Sequence, residues 1–295
     1  MHTSLGHLGT KKYIAQIPNT FRVKGLGRKV RKFISQCDTC QRVKYPNRSC
    51  AVQNLSHLPT KPGDLCAVDF YGPLPVGRFG VRYTLVFVCF DVFSKFVKLN
   101  LLKAATTKAC LNRIVNVTRP KCILSDNGTH FASKIWKNKL AEMNIHVHAM
   151  FSPIRHPQAN SSESCMREIG NEAHKRWPEL LSHTEGWLKG TLSNSTGYSP
   201  VELIFHSPRP DLFEEFLKKG SEQKLPAESL QEKVLKAYVR MKEKAAKRNK
   251  RGKNSSSKWK PQVGDLVLVK CHVSDAADSI TKKFARPYDG PWKVT

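Results

Sequence analysis

Two short-range pairs of metal-binding residue types, His2-x4-His7 and Cys37-x2-Cys40, constrain the start of this chain more than any other feature. Two histidines and two cysteines in this paired spacing make a tetrahedral N2S2 set suited to Zn2+. A segment of about fifty residues has a thin core, so metal–ligand bonds would supply much of its folding energy. The spacing by itself leaves open a solvated histidine pair beside an unrelated cysteine pair. Apolar residues recur at Tyr13, Ile14, Ile17, Phe21, Leu26, Val30, Phe33 and Ile34, which predicts helix over residues 10–36. The nine cysteines are an odd number, scattered through a chain whose first thirty residues hold no apolar signal core, so a disulfide framework is not expected.

Charge narrows the partner. The 295 residues carry 50 Lys+Arg against 23 Asp+Glu, a formal net charge of +27. Residues 1–50 hold 11 basic residues and one acid, residues 228–295 hold 17 and seven, and the 177 residues between them have a net charge of only +7. Two basic ends around a nearly ordinary middle predict modules that grip a polyanion, DNA or RNA, on either side of a domain that does something else. No membrane or small-molecule partner is expected: the most apolar run, Leu85 to Phe90, stops at Asp91, far short of the roughly 20 residues a spanning helix needs.

The middle reads as alternating elements. Leu65–Tyr71, Tyr83–Phe90 and Phe96–Leu102 are strand-like, followed by helix over Thr106–Thr118, strand over Cys122–Ser125, helix over Ser133–Met143, strand over Ile145–Ala149 and an amphipathic stretch over Ser161–Arg176. Three strands followed by alternating helices and strands predict a mixed α/β sheet. Beyond it, Glu179–Ser193, Pro200–Phe205 and Glu228–Lys250 read as helices, Arg251–Ser257 as a flexible linker, and a small β-rich unit begins at Val263.

Three carboxylates stand in settings that suit catalysis. Asp69 lies late in an apolar strand, Asp126 directly follows a short buried one, and Glu163 opens a helix after His156-Pro157-Gln158-Ala159-Asn160. Strand ends of α/β sheets gather active-site groups. Three converging carboxylates need cations to neutralise them, which implies Mg2+ or Mn2+.

Residues 2–44 and 60–212 resemble an integrase of long-terminal-repeat retroelements, similar to those of Gypsy-like or Pao-like elements and of retroviruses. His7-Leu8-Gly9 with Cys37-Asp38-Thr39-Cys40 looks like the family's zinc module, and would make His2, His7, Cys37 and Cys40 the zinc ligands. Asp69, Leu124-Ser125-Asp126-Asn127-Gly128 and His156 to Glu163 resemble its three catalytic blocks, Asn194 to Phe205 the segment closing the core, and Gly264 to Val269 with Tyr288 to Trp292 the start of its C-terminal barrel. The sequence also departs from the pattern. Val23-Lys24-Gly25 stands where Trp-Pro-Gly is usual, 36 residues separate Asp126 from Glu163 where many members have 35, and Ser164 replaces an Arg. The zinc motif begins at residue 2 and the chain ends at Val294-Thr295, so both ends are expected to be clipped.

The resemblance implies a ribonuclease-H-like core at residues 64–215, preceded by a zinc-binding domain at 1–50 and a linker at 51–63. A basic helix and linker at 216–257 and an incomplete SH3-like barrel at 258–295 would follow it. It implies 3′-end processing of element DNA and its joining to target DNA by a multimer acting in the nucleus. Asp69, Asp126 and Glu163 would hold two divalent ions about 4 Å apart. Phosphate contacts are expected from Lys29, Arg31, Lys32 and from Lys244, Lys247, Arg248, Lys250, Arg251, with Gln158 and Asn160 touching DNA near the metals. Asp64 and Asp91 read as turn residues. The competing readings are an integrase-derived protein that binds DNA without joining it, and a different ribonuclease-H-like nuclease.

Overall fold

The computed structural model describes residues 2, 7–17, 22–43, 58–74, 83–115, 120–125, 128–149, 177–206, 228–254, 262–270 and 288–295, with only the backbone course at 148–149, 248–254 and 270. The helix expected over 10–36 is two helices. α1 (Thr10–Gln16) ends where Ile17 turns extended, as a residue preceding a proline does, and α2 (Leu26–Ser35) starts after Gly25 at φ +69. The apolar recurrence ran on across Pro18 and Gly25 because both helices pack one face into the same small core, so periodicity alone hid the break. α3 (Asp38–Val43) completes the unit. Its core consists of Leu8, Tyr13, Val30, Ile34 and Cys40, with little else behind it.

Five strands form the central sheet: β1 (Leu65–Tyr71), β2 (Leu85–Asp91), β3 (Val97–Leu102), β4 (Cys122–Ser125) and β5 (His146–Ala149). Their order is β3-β2-β1-β4-β5. The first three are antiparallel, and β4 and β5 run parallel to β1. This is the mixed, ribonuclease-H-like sheet that the sequence implies. Period-two alternation sends Ala67 and Tyr71 to one face and Cys66 and Val68 to the other. α7 (Trp177–Gly190) covers the first face with Trp177 and Leu181. α4 (Thr107–Val115), α5 (Thr129–Ala132) and α6 (Lys134–Glu142) cover the second with Leu111, Ile114, Phe131, Trp136 and Leu140. α6 begins where Ser133 accepts a hydrogen bond from the Trp136 amide, a side-chain cap on an otherwise orphaned donor.

The edge of the sheet is tied down. Glu185 of α7, buried, accepts the Leu99 amide of β3 at 2.8 Å and pairs with Lys98 at 2.8 Å and with Lys189. Burial would raise its pKa, but the Leu99 amide and the two lysines outweigh that and hold it below the usual glutamate range. Asp91 and Asp64 are turn residues, as expected from the sequence. Asp91, at the end of β2, accepts from the Ser94 amide and hydroxyl, both at 2.6 Å, and from the Gly63 amide at 2.8 Å; burial pushes its carboxyl up. Asp64 accepts the Thr60 and Lys61 amides at 3.0 Å.

α8 (Pro200–Ile204) and α9 (Leu230–Asn254) lie beyond the sheet. The first half of α9 is docked on the α/β core: Ala237 and Met241 pack on Phe93 and Leu203, and Arg240 donates to the Asn194 carbonyl at 3.3 Å. The linker expected from Arg251 is corrected: α9 continues through Asn254, because extending an established helix adds a backbone hydrogen bond per residue and Arg251, Lys253 and Asn254 do not break it. β6 (Leu266–Lys270) and β7 (Tyr288–Lys293) form an antiparallel pair; two strands do not establish the SH3-like closure. Among the described residues no helix is long and apolar enough to cross a membrane.

Candidate functional site

The four proposed zinc ligands come together. Backbone closure sets the histidines: the His7 amide donates to the His2 carbonyl at 3.0 Å, with His7 itself at φ +48, and the two rings meet edge to face at 4.7 Å. The cysteines are set by α3. Cys37 immediately precedes the helix and its carbonyl accepts the Gln41 amide, so Cys37 and Cys40, three apart, project from the same side of the first turn. His2 Nε2 lies 3.2 Å from Cys40 Sγ, and His7 Nδ1 lies 3.4 Å from Cys37 Sγ and 3.6 Å from Cys40 Sγ.

These spacings decide between metal site and coincidence. With Zn–N near 2.0–2.1 Å and Zn–S near 2.3 Å, a tetrahedron has N···S edges of roughly 3.6 Å. The observed nitrogen–sulfur distances are close to that edge length, and all four ligand atoms lie within 4.8 Å of one another. His2, His7 and Cys40 are buried and Cys37 half-buried, which disposes of the solvated-pair alternative. The donor set, its spacing and its burial fit Zn2+.

Around this centre α2 turns Val30 and Ile34 inward and leaves Lys29, Arg31 and Lys32 exposed. Arg22, Lys24 and Arg28 share that exposed surface. The sequence reading missed them; their proximity in chain to the chosen three was the available signal. On α9, Lys247 is exposed and Lys244 half-buried, whereas Arg248, Lys250 and Arg251 are placed only by backbone in the last turns of the helix.

Of the carboxylates, Asp69 is described. It is exposed, two residues before the end of the central strand, with its Oδ1 accepting the Phe70 amide at 2.7 Å. Its neighbour on one side is Val88 of β2. On the other side, β1 pairs with β4 as far as Ala67 opposite Leu124, and β4 ends at Ser125. Asp126, Gln158, Asn160 and Glu163 lie outside the described residues. The segment expected to close the core is well ordered locally: the Ser199 amide donates to Glu202 Oε2 at 2.7 Å at the start of α8, and Tyr198 donates to Glu228 at 3.2 Å.

Comparison with known proteins bears on both regions. Residues 1–46 match the family described as the integrase zinc binding domain. The Pro-Pol polyprotein of feline foamy virus is 30% identical over 214 residues, 68% of this chain and 18% of that protein. That of simian foamy virus type 1 is 27% identical over 279 residues, 90% of this chain and 23% of its own length. The transposon Tf2-3 polyprotein of Schizosaccharomyces pombe is 24% identical over 67% of this chain and 16% of its own length. The chain thus spans less than a quarter of the length of these curated relatives. Among solved structures, the cryo-EM structure of the simian T-cell lymphotropic virus intasome in complex with PP2A regulatory subunit B56 gamma aligns over 77% of this chain and 76% of that one. It does so at 14% identity and a TM-score of 0.47. Taken with the zinc-domain match, the alignments with foamy-virus and transposon polyproteins place this chain among the retroelement integrases.

Proposed function

We propose that this chain integrates retroelement DNA: it processes the 3′ ends of the element and joins them to target DNA, acting as a multimer on DNA in the nucleus. The observation that carries the reading is one chain joining an integrase-type zinc module to a 3-2-1-4-5 sheet with an exposed aspartate near the end of its central strand. In parallel sheets the carboxyl ends of adjacent strands share one rim. β1 and β4 run parallel and side by side, so Asp69 and the chain leaving Ser125 toward Asp126 share that rim.

Asp69 presents an exposed oxygen donor of the kind hard divalent cations take, so it fits Mg2+ or Mn2+. Asp126 and Glu163 are its proposed co-ligands. When bound, such ions lower the pKa of an attacking hydroxyl and neutralise charge developing on the phosphate. Asp69 serves this by orientation: its fixed place in the β1–β2 ladder holds a carboxylate at the sheet rim. The exposed lysines and arginines of α2 and the end of α9 bind phosphates without reading sequence, which leaves affinity dispersed and chemistry local.

The test is a joining assay on the full chain, with Mg2+ and a labelled duplex carrying matched element termini. Nicked and joined products are expected, and Asp126→Asn should abolish both. Joining retained by Asp126→Asn would remove the metal assignment, and no nicking or joining in Mg2+ or Mn2+ would remove the reading.

A further inference from the structure

Past Ala67 opposite Leu124, the hydrogen-bonded ladder between β1 and β4 stops. Asp69 lies two residues beyond that last pair, so backbone pairing with β4 no longer fixes its distance from the chain that follows β4. Something else has to. The residue next to Asp69 is Phe70, whose side chain points to the opposite face of the strand from Asp69. There it stacks on Phe131 of α5, with ring centroids 5.1 Å apart and planes 17° from parallel, and the His130 ring meets its edge at 5.6 Å. Phe131 is itself buried, packed on Phe87 at 6.4 Å and on Trp136 at 5.1 Å.

α5 is held on its far side too. The His130 carbonyl accepts the hydroxyls of Thr107 at 3.3 Å and Ser133 at 3.2 Å, and the Phe131 amide donates to Gly128 at 2.9 Å. The short connection at residues 126–127 is therefore bounded by two fixed ends, Ser125 in β4 and Gly128 at the start of α5. Phe70 joins the strand that carries Asp69 to the far end of that connection.

We infer that Phe70, through its stack on Phe131, is a positioning residue that sets the spacing between Asp69 and the segment carrying Asp126, and thereby the affinity of the metal site they form. The inference rests on the divalent-metal reading above. The cation most demanding of geometry is Mg2+, which takes near-ideal octahedral coordination, so ligand spacing enters its binding directly. Groups that hold metal ligands in place without touching the metal characteristically change affinity by about 10–100-fold when removed.

The experiment uses the zinc-loaded full chain without DNA and titrates Mn2+ by calorimetry, with Mg2+ competition and a thermal melt of each variant. Phe70→Leu, which keeps apolar bulk but not the ring, should weaken Mn2+ binding by about tenfold while melting close to the parent. Phe70→Ala should weaken it at least as much with a lower melting temperature. Phe70→Tyr, which retains the stacked ring, should bind Mn2+ as the parent does. Asp69→Asn separates the two ideas. If the parent binds Mn2+, Asp69→Asn does not, and Phe70→Leu and Phe70→Ala bind like the parent, the positioning role is overturned and the metal reading stands. If Asp69→Asn binds Mn2+ like the parent, or the parent binds none, both are overturned. A Phe70→Leu chain that loses stability but no metal affinity shows Phe70 to be structural only and also overturns the role.

Discussion

The zinc module and the α/β domain are held together in opposite ways. In the module, a handful of apolar side chains surrounds two histidines and two cysteines at tetrahedral spacing, and the hydrophobic contribution is small. In the α/β domain two apolar clusters pack on the two faces of one sheet, with Trp136, Trp177 and Phe87 fully buried. The first needs its ion in order to fold. The second needs ions only for chemistry, at a rim where Asp69 is exposed and contributes little to packing. Loss of either metal should therefore look quite different in a folding measurement.

The largest effect expected is on the module. Structural zinc in isolated fingers contributes about 10–16 kcal/mol of apparent binding free energy that is also folding free energy. Strong chelation, or Cys40→Ser, should remove the helical signal of α1–α3 and the stoichiometric zinc, while the melting transition of the α/β domain stays where it was. A module that keeps its circular-dichroism signal after zinc is stripped would erase the contrast. Next is Phe87→Ala, which empties a site in the core behind β2 and should destabilise the α/β domain by about 3–5 kcal/mol with zinc content unchanged. A fall in zinc content would show the two regions to be coupled.

A smaller effect belongs to Glu185. Its native pKa is lowered, so it contributes stability that is fully present above the ordinary glutamate value near 4.3. That stability is lost as pH falls through the lower native value. Glu185→Gln should cost about 1–3 kcal/mol at neutral pH, because Lys98 and Lys189 lose their partner, and should flatten that acid limb in a denaturation series run at successive pH values. The mildest change is expected from the triple substitution Lys29→Ala, Arg31→Ala, Lys32→Ala. It should leave both folds intact, and should make the plot of log K for duplex binding against log salt shallower by about 2.7 if all three contact phosphate. An unchanged slope by fluorescence anisotropy would remove α2 from the DNA-binding surface.

How legible these regions were in sequence depended on the range of the interactions involved. β1 and β4 run over the residues the sequence indicated, Leu65–Tyr71 and Cys122–Ser125, because each is a short apolar run with local punctuation, Gly72-Pro73 after one and Asp126-Asn127-Gly128 after the other. The zinc ligands were legible as types and spacings, though only folding shows that α2 and the turn at His7 bring the pairs together. The break between α1 and α2 was lost because apolar recurrence does not register a proline between two helices that share a core. Long-range ties left no local mark. Glu185 and Leu99 are 86 residues apart, and Asp91 reaches Gly63 across 28. Nothing in the spacing of either residue announces the partner, and both contacts exist because the sheet brings distant chain together. The stacking of Phe70 on Phe131 is of the same kind, since an aromatic residue beside an aspartate reads equally well as ordinary strand filling.

The central claim, that binding is spread over basic surfaces while the chemistry depends on carboxylates at the sheet rim, is tested most directly with Asp69→Asn in the full zinc-loaded chain. Strand transfer of a labelled duplex and affinity for that duplex are measured side by side. The account predicts no joined product, duplex affinity within a few-fold of the parent, and an unchanged melting profile. Joining at the parent's rate by Asp69→Asn would contradict it.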